Sequence, residues 1–198
     1  MTDDAYADLR SAIYQSDEEK NLFRQILVNC IVSTDLFDKD LKQRFDSRWN
    51  VAFSRSRAPL EDHARHRNLQ ATLIVETLAQ ASDIAHAMQH WQVYRKWNIR
   101  LFEEVYQSFA DKRLDDDPTE DWFQNEVDFF DNFVLPLVKR LHDCGAFVAA
   151  STDSHRDYAD QNRTLWLEQG RELVAEMGEA AKSKIVARDQ ESPRGLQS

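Results

Sequence analysis

The chain has 198 residues, and its 25 basic and 35 acidic side chains give a formal net charge of −10. This charge opposes broad binding to nucleic acid phosphates and to anionic membrane surfaces, and no apolar run approaches the roughly 18 residues of a membrane span. With only 4 glycines and 4 prolines and long segments of helical periodicity, the composition predicts an all-α protein. We therefore expect that the protein does not bind a nucleic acid polymer and that it has no membrane segment.

Cysteine usage and the first residues indicate a compartment. Cys30 and Cys144 lie in apolar helical patterns without CxxC spacing, which is typical of buried thiols in a reducing environment. The acidic start of the chain lacks the basic and apolar regions of a targeting signal. We therefore expect a cytoplasmic protein, either one domain or part of a larger one.

In the first half, capping and periodicity predict two helical regions. Ser16-Asp17-Glu18-Glu19 has the pattern of a capping box, and the apolar stripe that follows predicts a helix running past Asp35 towards Trp49. Residues 50–67 show no period and predict a loop. A dense apolar pattern from Asn68 predicts a second helical region that continues to Phe109, with a bend at residues 86–90.

In the second half, Asp117 and Pro118 predict an N-cap and the first position of a third long helix. This helix is expected to kink at Pro136 and to stop near Gly145. An amphipathic helix over residues 165–177 follows. We expect a helical domain over residues 1–178 and a disordered tail over 179–198, where aromatic residues are lost.

A helix too apolar to face water carries a single lane of polar side chains, at Glu76, Gln80 and Asp83. Spacings of four and three residues place these side chains on one helical face, where an unpaired buried carboxylate would cost several kcal/mol. We therefore expect Asp83 to be buried beside a cation. Two interpretations stay open: an ordinary buried ion pair with lysine or arginine, or a metal ligand.

The histidines give weaker metal signals. His86 and His90 follow Asp83 at i+3 and i+7, so a continuous helix would set three possible ligands on one side. Such a pair is more often a solvated face than a zinc site. His63 and His66 lie in an arginine-rich loop, and we assign no metal to them.

Six segments, taken in order, carry a family resemblance. They are Ile31–Leu36, Ala81–Ile84, Trp91–Trp97, Leu101–Glu104, Phe129–Leu137 and Asp160–Trp166. In order and spacing they resemble the class I 3',5'-cyclic nucleotide phosphodiesterases. The resemblance covers roughly Tyr6–Met177 but corresponds to about the C-terminal half of that catalytic domain. It implies an all-α fold, a bundle of long helices.

The resemblance also implies an activity and a site. The family hydrolyses cyclic AMP or cyclic GMP to the 5'-monophosphate in cellular signal transduction, with zinc and magnesium or manganese as cofactors. Asp83 falls on the carboxylate that coordinates the tightly bound metal. Phe129 falls on the aromatic that stacks on the purine, and Glu126 on the glutamine that hydrogen-bonds the base. The other implied nucleotide-binding positions are Leu36, Ile84, His86, Tyr94, Trp97 and Leu101.

Glu126 departs from the family pattern. An ionised carboxylate only accepts hydrogen bonds, whereas the glutamine amide both donates and accepts. Glu126 therefore serves only part of a purine edge unless it is protonated.

The larger departure is an absence in this sequence. No segment resembles the N-terminal half of the family domain, which supplies metal-binding histidines and the histidine general acid. We therefore assign no catalytic residue here and expect weak or no activity without a missing N-terminal half or a second chain. Two other hypotheses stay open: a non-catalytic helical module that binds a nucleotide or a protein through its open face, and a helical bundle with no site.

Overall fold

The structure, a computed structural model, describes residues 6–53, 63–145 and 149–191, with residues 149–153 and residue 191 described by backbone only. Every regular element within these ranges is helical, which confirms the all-α prediction. A 3₁₀ helix, Ala85–Met88, lies between the fourth and fifth α-helices, and a π-helical segment, Phe130–Val134, lies between the sixth and seventh. The α-helices are α1 (Ala7–Ile13), α2 (Asp17–Ser33), α3 (Lys39–Phe53), α4 (His63–Asp83), α5 (Trp91–Ala110), α6 (Pro118–Phe129), α7 (Leu135–Asp143) and α8 (Ala149–Glu191).

The chain divides into two compact units. The first unit comprises Met1–Asp83 and Asp143–Ala146, and the second comprises Ile84–His142 and Phe147–Ser198. In the first unit α2 and α3 pack against α4. Its core is formed by side chains of α3 and α4, namely Phe45, Trp49, Ala52 and Leu73.

The start of α2 follows the capping prediction, whereas its end does not. Ser16 Oγ accepts a hydrogen bond from the Glu19 amide at 3.2 Å, and Glu19 Oε2 accepts one from the Gln15 amide at 2.7 Å. The helix ends at Ser33 instead of continuing towards Trp49. A new N-cap explains the break, because Asp38 Oδ1 accepts hydrogen bonds from the Asp40 and Leu41 amides and starts α3.

The residues at both ends of the loop predicted over 50–67 are helical in the structure. α3 continues to Phe53 and α4 begins at His63, while residues 54–62 lie outside the described part of the chain. The predicted bend after α4 is confirmed. There the 3₁₀ helix replaces an α-helical turn, and His90 Nδ1 caps α5 by accepting a hydrogen bond from the Gln92 amide at 3.3 Å.

The second unit is built around α5, α6 and α8, which pack against one another. Asp117 and Pro118 begin α6 as predicted. The predicted kink at Pro136 stays a prediction; the irregularity that the structure shows is the π-helical segment before it, where the Leu135 amide donates to the Phe130 carbonyl. Pro136 is the second residue of α7 and directly follows this segment. The largest fully buried side chains here are Trp166, Tyr94, Phe102 and Phe130.

The predicted end of the third long helix agrees with the structure, whereas the helix near the predicted domain end at residue 178 continues further. α7 ends at Asp143, and Gly145 follows with φ of +66°, the left-handed conformation that ends many helices. α8 passes residue 178, where a disordered tail was predicted, and continues to Glu191, with Ala181 buried. The strong helix formers around residue 180 account for this continuation. Residues 192–198 lie outside the described residues, and none of the described helices is both long and apolar enough to cross a membrane.

Candidate functional site

The polar lane on α4 contains a buried ion pair in the first unit. Glu76 is only 3% exposed, and its two carboxylate oxygens accept hydrogen bonds from Arg48 on α3 at 3.0 and 3.1 Å. This paired geometry lets the guanidinium compensate the buried charge directly. The buried ion pair of the lane therefore lies at Glu76 and not at Asp83.

The other two residues of the lane, Gln80 and Asp83, differ in burial. Gln80 is buried, and its Nε2 donates to the Ser33 carbonyl at 2.9 Å, which ties α4 to the end of α2. Asp83, the last residue of α4, is exposed, so the prediction that it is buried is wrong. The helix ends there, and an exposed carboxylate keeps its hydration without a compensating cation.

The donor set for a metal ion is small in this chain. Among the described residues, no three histidine, cysteine, aspartate or glutamate side chains lie close enough together to hold an ion. Asp83 offers a single carboxylate. These residues do not by themselves make the two-ion site that the resemblance implies, and the metal role of Asp83 stays a prediction.

A directed chain of hydrogen bonds crosses the second unit and ends on Glu126. Trp122 Nε1 donates to Asn98 Oδ1 at 3.2 Å, and Asn98 Nδ2 donates to the Tyr94 hydroxyl at 3.3 Å. The Tyr94 hydroxyl donates its own proton to Glu126 Oε2. Since the indole can only donate, it fixes the orientation of the Asn98 amide. The polarity of the whole chain follows, and Glu126 is its final acceptor.

The electrostatics of the pair formed by Tyr94 and Glu126 follow from its burial. Burial raises the pKa of Glu126 above 4.5, while the hydrogen bonds from Tyr94 and Asn98 oppose that rise. Burial also raises the pKa of Tyr94 well above 10.0, and the neighbouring carboxylate raises it further. Tyr94 therefore stays protonated at neutral pH and remains a hydrogen-bond donor to Glu126.

Phe129 lies one helical turn after Glu126 on α6, so the two side chains share a face. Its ring is partly exposed and lies 6.2 Å from the Phe130 ring and 6.1 Å from the Phe133 ring, measured between centroids. The neighbouring Phe130 is fully buried. The end of α6 therefore presents one carboxylate and one aromatic ring backed by further aromatic rings.

The other predicted positions differ in exposure. Trp97 and Leu101, one turn apart on α5, are 50% and 49% exposed, whereas Tyr94 on the same helix is fully buried. His86 is partly buried, and its ring lies parallel to the Tyr94 ring at a centroid distance of 6.2 Å. Ile84 is buried in the second unit.

The predicted residues therefore fall into two groups. The second unit brings Tyr94, Glu126 and His86 into one set of contacts. Leu36, which is partly buried after the end of α2, belongs with Asp83 to the first unit.

Three residues of the ion pair and of the hydrogen-bond chain, namely Asn98, Trp122 and Arg48, were not predicted from the sequence as polar partners. Asn98 is buried four residues after Tyr94, and this polar residue on an apolar face was the signal that could have found it. Trp122 lies in the apolar pattern of α6, and a periodicity argument does not show what its indole nitrogen binds. Arg48 sits on α3, where nothing local indicates its pairing with Glu76.

The raised pKa of Glu126 predicts a pH dependence of stability. Between pH 4.5 and the higher folded-state value, the folded protein keeps a proton that the unfolded chain has lost, so stability falls as pH rises through this window. We expect the melting temperature of a Glu126→Gln variant to gain on that of the unchanged protein from about pH 4 to about pH 7. Calorimetric scans of both proteins check this, and a pH-independent difference would contradict it.

Residues 6–153 match the 3'5'-cyclic nucleotide phosphodiesterase family. This match covers most of the 198-residue chain, and the chain belongs to that family. No curated protein and no solved structure gives a significant match to the chain. The match begins where the resemblance does and ends before residues 160–166, so that last resembling segment lies outside it.

Proposed function

We propose that the chain carries the nucleotide-binding part of a cyclic nucleotide phosphodiesterase catalytic domain. The reaction of the completed domain is hydrolysis of cyclic AMP or cyclic GMP to the 5'-monophosphate. The observation that carries the proposal is the hydrogen-bond chain ending on Glu126 beside Phe129, in a chain of this family. A carboxylate with a fixed donor on one oxygen and an aromatic ring one turn away suit the edge and the face of a purine.

Each residue has a role in this proposal. Phe129 stacks on the base, and Glu126 accepts a hydrogen bond from its edge. Tyr94 holds Glu126, and the half-exposed Trp97 and Leu101 offer apolar surface for the pocket wall. The remaining proposed nucleotide contacts are His86, Ile84 and Leu36.

The metal chemistry is proposed to need more than this chain. Asp83 is proposed as one ligand of the tightly bound zinc, with magnesium or manganese as the second ion, and such ions would activate a water molecule as the nucleophile. Because one carboxylate cannot hold two ions, we propose that histidines of a separate or preceding segment complete the site.

A second candidate function is a non-catalytic helical module that binds a nucleotide or a protein. The observation in its favour is the exposed apolar surface of α2, whose described residues include none that is buried. Exposed apolar surface of this extent is typical of a helix that has a partner. The exposed residues are Leu22, Ile26, Leu27, Val28, Ile31 and Val32.

Titration calorimetry with cyclic AMP and cyclic GMP, together with a hydrolysis assay in Mg²⁺ or Mn²⁺, tests the proposal. We expect binding of at least one nucleotide and no turnover by this chain alone. Replacing Phe129 by alanine should weaken binding by about tenfold, since a base stacked on an aromatic ring gains about 1–3 kcal/mol.

The matched control is Phe109→Ala, which removes another partly exposed aromatic ring roughly 22 Å further along α5 than Tyr94. This variant should bind as the unchanged chain does. Absence of binding to either nucleotide would contradict the proposed function, and robust turnover by the chain alone would contradict the expected need for further residues.

A further inference from the structure

Asn162 is a fully buried polar residue on α8, and it ties that helix to the turn before α5. Its Nδ2 donates to the carbonyl of Ala87 at 3.0 Å and to that of Gln89 at 2.7 Å. The residue lies beyond the segment that matches the family. All three residues belong to the second unit.

The 3₁₀ helix that receives these bonds is a single short turn of four residues. Its backbone is closed by the Ala87 amide on the Ile84 carbonyl at 3.0 Å and by the Gln89 amide on the His86 carbonyl at 3.4 Å. Helices of this kind have poorer hydrogen-bond geometry than α-helices and are used in short pieces. One amide group from α8 therefore adds two hydrogen bonds to this turn.

The oxygen of the Asn162 amide, unlike its nitrogen, is not satisfied. Among the described residues, Asn162 Oδ1 is buried without a hydrogen-bond partner. A buried unsatisfied acceptor is destabilising. The side chain is thus placed for what its nitrogen donates, at the expense of its oxygen.

The turn that Asn162 holds carries a proposed site residue. His86 lies in the 3₁₀ helix with its ring parallel to that of Tyr94, the interplanar angle being 4°. Tyr94 in turn donates to Glu126. A series of direct contacts therefore leads from Asn162 through the turn to the carboxylate.

We infer that Asn162 is a positioning residue, which holds the turn Ala85–Met88 so that His86 lies against Tyr94. Only the consequence for nucleotide affinity rests on the proposed function. The orientation of the turn itself rests on the two hydrogen bonds from Nδ2.

Hydrogen exchange of the full chain tests this inference. Asn162→Leu keeps the size of the side chain and removes both donors, whereas Val174→Ala truncates a buried residue about 18 Å further along the same helix. We expect the Ala87 and Gln89 amides to exchange about tenfold faster in Asn162→Leu and unchanged in Val174→Ala. Affinity for cyclic AMP should fall about tenfold in the first variant only.

The inference would be overturned if these amides exchanged no faster in Asn162→Leu than in Val174→Ala. If Asn162→Leu does not fold, the unchanged chain decides, since the Asn162 side-chain amide protons should show nuclear Overhauser contacts to Ala87 and Gln89, and their absence counts against the inference. If the unchanged chain does not bind cyclic AMP, the proposed function fails, while the exchange comparison still decides the role of Asn162.

Discussion

Replacing Glu126 by glutamine is expected to tighten cyclic nucleotide binding by about tenfold, the effect of one added hydrogen bond to a purine edge. The amide oxygen still accepts the bond from Tyr94, whose hydroxyl is held as a donor by Asn98. The amide nitrogen adds the donor that an ionised carboxylate lacks. Titration calorimetry of the two proteins with cyclic AMP and cyclic GMP measures the change.

The matched control is Glu104→Gln, which makes the same charge change at an exposed position of α5. It should leave affinity unchanged, so that a general effect of net charge is separated from an effect at the base edge. Equal tightening in both variants would show that charge alone acts. Weaker binding in Glu126→Gln would show that the carboxylate itself recognises the ligand.

Removing Arg48 is expected to destabilise the first unit by about 2 kcal/mol, somewhat below the range for a fully buried pair because its side chain is 40% exposed. The Arg48→Ala variant leaves the Glu76 carboxylate buried without its cation. Urea unfolding followed at the amides of α3 and α4 measures the loss. Arg44→Ala removes an exposed arginine from the same helix and should change stability by less than about 0.5 kcal/mol.

A double variant separates the pair from its parts. Arg48→Met combined with Glu76→Leu replaces both charges by apolar side chains, and we expect it to recover most of the stability that Arg48→Ala loses. A double variant as unstable as Arg48→Ala would contradict the unpaired charge as the cause of the loss, because the double variant buries no charge at either position.

Helices were predicted well where the signal is local. The capping box at Ser16 and the Asp117-Pro118 start of α6 depend on residues within one turn, and the structure has both. The end of α2 at Ser33 was missed because the new N-cap at Asp38 lies inside an otherwise continuous apolar pattern. A cap of this kind competes with periodicity, and periodicity alone does not show which wins.

In the candidate site, too, local features were predicted well and features that depend on the surrounding fold were not. The lane of Glu76, Gln80 and Asp83 was correctly placed on one face, but its burial stops at the helix end, so Asp83 is exposed. Spacing gives the direction of a side chain and not the depth of the surrounding core. The partner of Glu76 comes from another helix, 28 residues earlier, and no local pattern marks it.

Glu126 was placed by family resemblance, whereas its environment required the fold. Its neighbours Tyr94 and Asn98 come from α5, and their order in the hydrogen-bond chain depends on the indole of Trp122 on α6. Residue types alone permit several orientations for the amide and the hydroxyl. Only the packing of α5 against α6 selects one.

The wide turn at Phe130–Val134 shifts the angular phase of α7 relative to that of α6. A π-helical turn contains one residue more than an α-helical turn, so it rotates the following side chains about the helix axis. The buried side chains of α7, which are Leu137, Val138 and Leu141, therefore do not continue the helical periodicity of Phe129 on α6. The buried face of α7 and the proposed ligand-binding side of α6 can therefore point in directions that one uninterrupted α-helix would not combine.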